Sequence, residues 1–411
     1  MNSDSECNAP TVAYIVSRFP SATETFIVNE IIALEALGHR VQLFSLRKMD
    51  VAVHSAPADL VERCIGGNRL GLPALARGQL HWMRRRPVRW LTTWSVALWE
   101  NRRSPRFLAR ALVVVPIAMA FAPLVAAKQV HAHWATHPAL AAWVIRRLTG
   151  TPYSVTVHAH DLYVDRSMLA RKLTEAGAVV TISDFNSRLI ERLLPKMQDK
   201  VRVVPCGVDT LRLRQSVRPS TVPHEVLRLV CVASLQDYKG HEHLLRACRL
   251  MTDEGITYHL DLYGDGELKE SLVGLAAQLG VASAVTFHGA RPNDEVVAAV
   301  SVADVAVLPS IVTPSGKMEG VPVALMEALA LGIPVVASDL SGISELVVHQ
   351  ETGLLVPPAQ PGALAAAVSR LAGDPSLRAR LAREGRRRVE ERYDLSRNAR
   401  DLANVLSAVS A

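Results

Sequence analysis

Cysteine is scarce and scattered. Cys7, Cys64, Cys206, Cys231 and Cys248 are five in 411 residues, an odd number with no Cys-x-x-Cys. That argues against a disulfide framework and a thiolate zinc site, and for reduced, mostly buried thiols in a cytoplasmic protein. No Gly-x-Gly-x-x-Gly follows the first apolar run, so dinucleotide binding has little support. The first ten residues lack a basic start leading into an apolar core, so no secretory leader is expected. Acid is nearly missing from residues 82–110, where eight arginines accompany Glu100 alone. Trp82, Trp90, Trp94 and Trp99 lie among them. Trp interleaved with Arg suits an anionic membrane surface, the inner face of a plasma membrane for a cytoplasmic protein. The other reading is a basic helical excursion whose indoles pack on the domain. Nucleic acid is not expected, because no recognition module accompanies the charge.

Residues 111–127 form the one long apolar run, interrupted by Pro116 and Pro123. Its length is at the short limit for a membrane span. A span would also put strands of one sheet on opposite sides of the bilayer, so a buried or surface-inserted helix is expected instead.

What is present fits a large α/β protein. The chain is too long for one ordinary core, hydrophobic content is 49%, and net charge is +7 with a pI near 9.3. A basic surplus of this kind serves nucleic acid, membrane or an anionic small substrate. Thr11 to Ser17 reads as a buried strand, Thr25 to Leu37 as a helix capped by Thr23 or Thr25, and Arg40 to Leu46 as a strand. This βαβ opening implies a parallel sheet with right-handed crossovers. Alternation resumes with strands at 129–134, 153–157, 178–182 and 201–204. Ligands of open α/β sheets bind beyond strand C-termini. His133, His158, His160, Asp161, Gly207 and Asp209 all fall there, and the segment starting at Thr23-Glu24 follows the first strand. A zinc reading of the histidines lacks a distant third ligand, so no metal is assigned.

Residues 211–225 read as a linker between a first domain, 1–210, and a second, 226–390, with a final helix over 391–411 crossing back. Leu227 to Ala233 restarts the strands. Ser234-Leu-Gln-Asp-Tyr-Lys239-Gly240 leads into a helix, which brings the Lys239 ammonium to a helix start where anions are favoured. Gly264-Asp-Gly-Glu267 is another strand-end turn. The segment Gly316 to Gly332 (GKMEGVPVALMEALALG) follows, with Pro322 expected as the first helical residue. Glu319 and Glu327 bracket that helix start. Bare amides, the dipole and Gly320 without a Cβ suit phosphate there, whereas the carboxylates suit sugar hydroxyls. An anion and a polyol in one place indicate a nucleotide-sugar.

The Glu319-to-Glu327 spacing, Lys239-Gly240, Gly264-Asp-Gly, Gly207-Val-Asp209 and Gly353-Leu-Leu-Val-Pro-Pro resemble the family 4 glycosyltransferases. The opening Ala13-Tyr-Ile-Val-Ser-Arg-Phe-Pro, the Glu24-Thr-Phe-Ile-Val-Asn-Glu run and His158-Ala-His-Asp are similar to the branch making exopolysaccharide and colanic-acid-type glycans. The resemblance implies a GT-B fold, two Rossmann-like domains with parallel sheets facing an interdomain cleft. It implies a retaining, metal-independent transferase needing no cofactor. The donor would be a UDP- or GDP-sugar, and the acceptor a hydroxyl of a glycan or lipid-linked oligosaccharide. Carried over by residue, Glu327 would hold the ribose, and Glu319 the donor sugar. The amides of Gly320, Val321, Pro322's neighbours and Val323 would lie near phosphate or sugar, with Ser234 and Gly264 lining the donor site. Lys239 would balance the leaving diphosphate, and His158 would approach the donor sugar. Thr23, Glu24, His133, His160 and Asp161 would serve the acceptor side.

One departure stands out. The family carries an arginine five residues before the lysine, and here that place is Ser234. Lys239 would then act with helix dipoles alone, or with a substitute such as Arg18 or Lys317, or the enzyme would be slow. A nucleotide-sugar 2-epimerase of the same fold and a non-catalytic assembly protein are the alternative readings. Product formation from donor alone would mark the epimerase, and failure to bind any nucleotide-sugar the assembly protein.

Overall fold

The computed structural model describes residues 11–21, 24–49, 56–213 and 226–410. The chain divides into two compact units, Met1–Val204 with Ala399–Ala411, and Pro205–Asn398.

In the first unit seven strands make one parallel sheet: β1 (Val12–Phe19), β2 (Val41–Lys48), β3 (Ile65–Gly66), β4 (Val130–His133), β5 (Tyr153–Val157), β6 (Ala178–Thr181) and β7 (Val201–Val203). Their order is β3-β2-β1-β4-β5-β6-β7. Residues Val12 to Val16 are all solvent-inaccessible. Ala13 and Ile15 enter one core, whereas Val12, Tyr14 and Val16 enter the other. Both faces of β1 are thus covered, which is why the strand reads as an unbroken apolar run.

The basic, Trp-containing stretch forms three packed helices, Leu72–Arg85, Pro87–Asn101 and Pro105–Phe121. A Cβ on Gly78 would lie 3.0 Å from the backbone of Ala120, so the first and third helices cross closely. Trp82 Nε1 donates to the Met119 carbonyl at 2.9 Å, and the indoles of Trp90 and Trp94 both donate to Gln79 Oε1 at 2.9 Å. Three of the four tryptophans are therefore packing residues, as the second reading of that stretch has it. Only Trp99 is exposed, at 65%, with the Arg102 guanidinium 3.5 Å over its ring. Pro105–Leu124 is long and apolar enough to cross a membrane, with a mean hydropathy of 2.1, and half of it is buried in the protein. β2 precedes it and β4 follows it, and both flank β1 in one sheet. A spanning disposition would tear that sheet apart.

The final helix, Leu395–Ser410, delivers Leu402, Ala403 and Leu406 into the first unit's core, and Gln129 Nε2 donates to the Leu406 carbonyl at 2.8 Å.

The second unit holds β8 (Leu227–Val232), β9 (Tyr258–Tyr263), β10 (Val285–Gly289), β11 (Val305–Leu308), β12 (Val335–Ser338) and β13 (Leu354–Val356). All are parallel, ordered β10-β9-β8-β11-β12-β13. Its start differs from the expected boundary. Gly207 to Thr210, expected at the end of the first domain, and Leu211 to Leu213, expected in the linker, belong to the second unit. Val208 pairs with Asp394, Thr210 Oγ1 donates to Asp394 Oδ2 at 2.6 Å, and Arg386 donates to the Leu213 carbonyl at 2.8 Å. A Cβ on Gly207 would lie 2.5 Å from Leu395 Cα, so that glycine permits a backbone crossing. Residues 214–225, most of the expected linker, lie outside the described residues.

Candidate functional site

In the second sheet the winding direction reverses between β8 and β11, the place where open α/β sheets leave a crevice at their strand ends. The loops leaving those two strands carry Ser234 to Gly240 and Pro309 to Pro322.

Glycine fastens these loops together. Gly240 has φ +72°, and a Cβ there would lie 1.9 Å from the Pro309 carbonyl oxygen. Ile311 N–H donates to the Tyr238 carbonyl at 2.8 Å, so the end of the Lys239 turn is bonded to the end of β11. Gly264, at φ +140°, plays a similar part: its Cβ would lie 2.0 Å from the Ala233 carbonyl oxygen. Its position lets the β9 loop press against the backbone of the β8 loop.

Lys239 Nζ is ion-paired to Glu319 Oε2, and their side chains are only 14% and 12% exposed. Burial pulls the ammonium down, but the Glu319 carboxylate outweighs it and raises the Lys239 pKa. Glu319 Oε1 also receives the Gly320 N–H at 3.4 Å, and Ser341 Oγ donates to the Glu319 carbonyl at 2.6 Å. The helix that follows runs Val323–Ala330 and no side chain caps it. Pro322 is its N-cap, with φ −76° and ψ 120°, one place earlier than expected. Its extended ψ keeps it outside the helix, which leaves the first-turn amides at the helix mouth without a side-chain acceptor. Val321 is buried, so only its main chain is available to a ligand.

Glu327 lies one turn further along, in a different set of contacts. Burial pushes its carboxyl up to about 6, moderated by a hydrogen bond with Asn293 and by the Arg212 charge. Among the described residues no contact joins it to Lys239 or Glu319. Ser234, in the place of the expected arginine, hydrogen-bonds to Tyr238. Sequence reasoning passed over Tyr238, whose ring lies beneath two ammonium groups, Lys239 Nζ at 4.9 Å and Lys317 Nζ at 4.4 Å. No local pattern marks it, because the two lysines are far apart in the chain.

The first unit carries the histidines at the ends of β4 and β5. His158 Nε2 lies 2.9 Å from His133 Nε2, and His133 Nδ1 lies 3.4 Å from Glu30 Oε1, an ion-pair distance longer than a well-made hydrogen bond. Tyr14 OH donates to the same Glu30 oxygen at 2.8 Å. Glu30 reads in the sequence as one more polar position on an amphipathic helix. Burial raises its carboxyl, but the neighbouring His133 ring leads the effects that bring its pKa below the ordinary value. Burial holds His158 well below the usual histidine range, so the ring is neutral at pH 7.

Asp161, expected toward the acceptor, is fully buried and braces the backbone. Its Oδ2 receives the His158 N–H at 2.9 Å and the Ala135 N–H at 2.8 Å, tying the end of β4 to the end of β5. His133 is likewise fully buried and backs His158. His160 is exposed on the short helix Ala159–Tyr163, which follows β5. Glu24 keeps Oε2 buried without a hydrogen-bond partner, and burial raises its pKa against the Arg18 and His133 charges. Thr23 lies outside the described residues.

Glu30, His131 and His133 bring three ligand-type atoms within 4.8 Å of one another. His131 already has both ring nitrogens engaged, by Ser154 Oγ at 2.8 Å and Thr156 Oγ1 at 3.0 Å. His131 is thus satisfied by protein hydrogen bonds, whereas His133 Nδ1 is buried with only the 3.4 Å approach of Glu30 beside it.

Residues 23–212 match the profile of Glycosyltransferase Family 4, and residues 214–388 that of the Glycosyl transferases group 1. A relative assigned to colanic acid biosynthesis, the glycosyltransferase WcaL of Escherichia coli, is 30% identical over 97% of this chain and 100% of its own length. The chain belongs to the family 4 glycosyltransferases. The amylovoran biosynthesis glycosyltransferase AmsK of Erwinia amylovora is 32% identical over 52% of each chain. Among solved structures, a sucrose-phosphate synthase from Thermosynechococcus elongatus superimposes with a TM-score of 0.72 at 20% identity, covering 97% of this chain and 98% of that one. HepE of Anabaena, solved with UDP and glucose, gives 0.68 at 15% identity, covering 97% and 99%. The two parallel sheets and these glycosyltransferase neighbours make the fold GT-B. The family 4 enzyme therefore has its Lys239–Glu319 pair on the loops where the second sheet reverses.

Proposed function

We propose that this glycosyltransferase moves a sugar from a UDP- or GDP-sugar to a hydroxyl of a glycan, lipid-linked in the growing chain, during synthesis of an extracellular or cell-surface polysaccharide. The relatives' roles in colanic acid and amylovoran biosynthesis support the product class. The observation that carries the reading is the largely buried Lys239–Glu319 pair beside the uncapped Val323–Ala330 helix start. A cation and bare amides stabilise the charge that develops on a departing diphosphate. Glu319 has the acceptor oxygens that donor sugar hydroxyls require, and Glu327 those that a ribose requires. Ser234 and Gly264 line this donor site through its loops.

Transfer proceeds with retention. The leaving phosphate oxygen takes the acceptor's proton as the acceptor oxygen bonds to the anomeric carbon on the same face. No protein base is then needed, and the chemistry runs without a metal. On the first unit the neutral His158 ring, with His160 two residues on and Glu24 after β1, serves the sugar and acceptor side. The exposed Val88 and Leu91, at 72% and 58%, lie on the same helix as Trp99 among arginines, and contact an anionic membrane peripherally.

The test is a thermal-shift panel of UDP- and GDP-sugars on the purified protein. A true donor raises the melting temperature by mass action. Incubation with that donor and an acceptor should then give product with the donor's anomeric configuration by NMR. A panel in which no nucleotide-sugar shifts the melting of the folded protein would refute the proposal. A new nucleotide-sugar formed without acceptor would establish the epimerase instead.

A further inference from the structure

We propose that Lys317 is a catalytic residue of the donor site, the second cation on the departing diphosphate, doing the work that Ser234 cannot. The proposal rests on the nucleotide-sugar reading above and deepens it.

Ser234 carries no charge, and its hydroxyl is engaged by Tyr238. Lys239 is neutralised at rest by Glu319. A dianionic leaving group would therefore meet one cation that is already paired. Lys317 changes that balance. Its Nζ lies 4.4 Å from the centroid of the Tyr238 ring, the same ring that Lys239 Nζ approaches to 4.9 Å. The two ammonium groups converge on one aromatic face-bearing residue of the β8 loop, although their backbones leave from different strands.

The placement is built. Lys317 N–H donates to Thr313 Oγ1 at 3.0 Å, and its carbonyl receives the Thr313 N–H at 2.9 Å and the Thr313 hydroxyl at 3.1 Å. Gly316 turns the chain with φ +80°. The side chain then reaches back to Gln236 Oε1 at 3.1 Å and Asp237 Oδ1 at 3.4 Å. Both partners belong to the turn that carries Lys239. Gln236 is neutral and Asp237 is 53% exposed, so this pair is solvent-screened and holds the ammonium in position without cancelling it strongly. Lys317 itself remains 30% exposed, open to a ligand. A lysine contributes a point charge and not a bidentate fork, so the replacement keeps the electrostatics and drops the planar geometry of an arginine.

Calorimetric titration of wild type, Lys317→Ala, Lys317→Arg and the Lys317→Ala/Ser234→Arg double variant with UDP, GDP, uridine and guanosine tests this. The nucleoside diphosphate that binds wild type should weaken tenfold or more in Lys317→Ala, while its nucleoside binds unchanged. With nucleotide-sugar, kcat should fall on the order of 100-fold with a smaller change in KM, the pattern of a group acting on developing charge. Lys317→Arg and the double variant should each recover most of the loss. Equal losses for nucleoside and diphosphate would show that Lys317 only packs the loop, and overturn the proposal. So would unchanged diphosphate affinity and turnover in Lys317→Ala. Binding of neither UDP nor GDP to wild type would overturn the donor reading itself.

Discussion

Replacing Lys239 by methionine separates what the Lys239–Glu319 pair does for folding from what it does for transfer. Both side chains are largely withdrawn from water, at 14% and 12% exposed. Removing one partner of a buried pair leaves the other charge unpaired, which costs about 3–5 kcal/mol, more than the pair is worth against an apolar replacement of both. Glu319 keeps a long hydrogen bond from Gly320 and retains some access to water, so we take the lower end, about 3 kcal/mol. For a unit of this size that is a fall of about 6–12 °C in melting temperature. Lys239→Met/Glu319→Gln removes both charges and should recover most of the loss. Neither effect should depend on pH near neutrality. The Lys239 pKa is raised, so its stabilising contribution is complete below the unfolded lysine value near 10.5 and is lost only as pH rises through the still higher folded value. Transfer should follow a different rule: Lys239→Met and the double variant both lose on the order of 100-fold in kcat, because the diphosphate has lost the Lys239 cation whatever becomes of Glu319. Calorimetric melting and initial rates on the same three proteins decide it. A double variant no more stable than Lys239→Met would refute the buried-charge argument, and near-normal turnover in Lys239→Met would refute the diphosphate assignment.

Glu327 should behave in the opposite sense with pH. Its carboxyl is held up at about 6, so its burial costs stability above that pH, and the cost is relieved as pH falls through 6 toward the ordinary carboxyl value. Glu327→Gln should therefore be about 2 kcal/mol more stable than wild type at pH 7.5, with the advantage more than halved at pH 5, measured by urea denaturation. The same variant should bind nucleotide more weakly at pH 7.5 by calorimetry. Gly240→Ala should be among the most damaging single-methyl changes in the second unit, because left-handed backbone and a Cβ 1.9 Å from the Pro309 carbonyl oxygen act together. A melting-temperature loss below 2 °C would contradict it. On vesicles containing anionic lipid, Val88→Asp/Leu91→Asp should reduce sedimentation severalfold, and raised salt should release the wild type. Substituting Trp94 should instead lower stability, since its indole is bonded to Gln79.

How far the residues disclosed the fold depends on the range of the interaction. Tyr153–Val157 lies where its β-branched run placed it, because a strand buried on both faces leaves such a run, and Tyr258–Tyr263 lies where its alternation of buried and half-buried residues placed it. Ser183 caps the helix Asp184–Leu193 as expected, its Oγ receiving the Asn186 N–H. β3 is two residues long and the helices Ala159–Tyr163 and Leu169–Thr174 are barely a turn or more, too short to show a period. The boundary at Val204 was missed because Gly207 to Leu213 owe their place to Asp394 and Arg386, far along the chain. The choice between the two readings of the tryptophans was hidden for a similar reason: composition cannot tell an indole bonded to Gln79 from one at a lipid headgroup. On the loops where the second sheet reverses, Lys239 and Glu319 were visible as motifs, but the Tyr238 ring that gathers Lys239 and Lys317 is a product of packing.

The Glu30–His131–His133 trio gives the sharpest test of metal independence. Three ligand-type atoms within 4.8 Å are what a divalent zinc site needs at a minimum. To accept zinc, however, His131 would have to give up Ser154 or Thr156, and Glu30 the Tyr14 hydroxyl, in surroundings where His131 and Tyr14 are fully buried. Each bond broken there strands a buried hydroxyl, which costs about 1–3 kcal/mol. That cost weakens a site which, with three ligand atoms, already falls short of the usual four of a structural zinc site. Zinc at micromolar concentration should leave the melting temperature unchanged, and chelator should leave both melting and turnover unchanged. A zinc-dependent rise in melting temperature that His133→Gln abolishes would mean the hydrogen bonds yield to the metal, and the histidines would have to be read as its ligands.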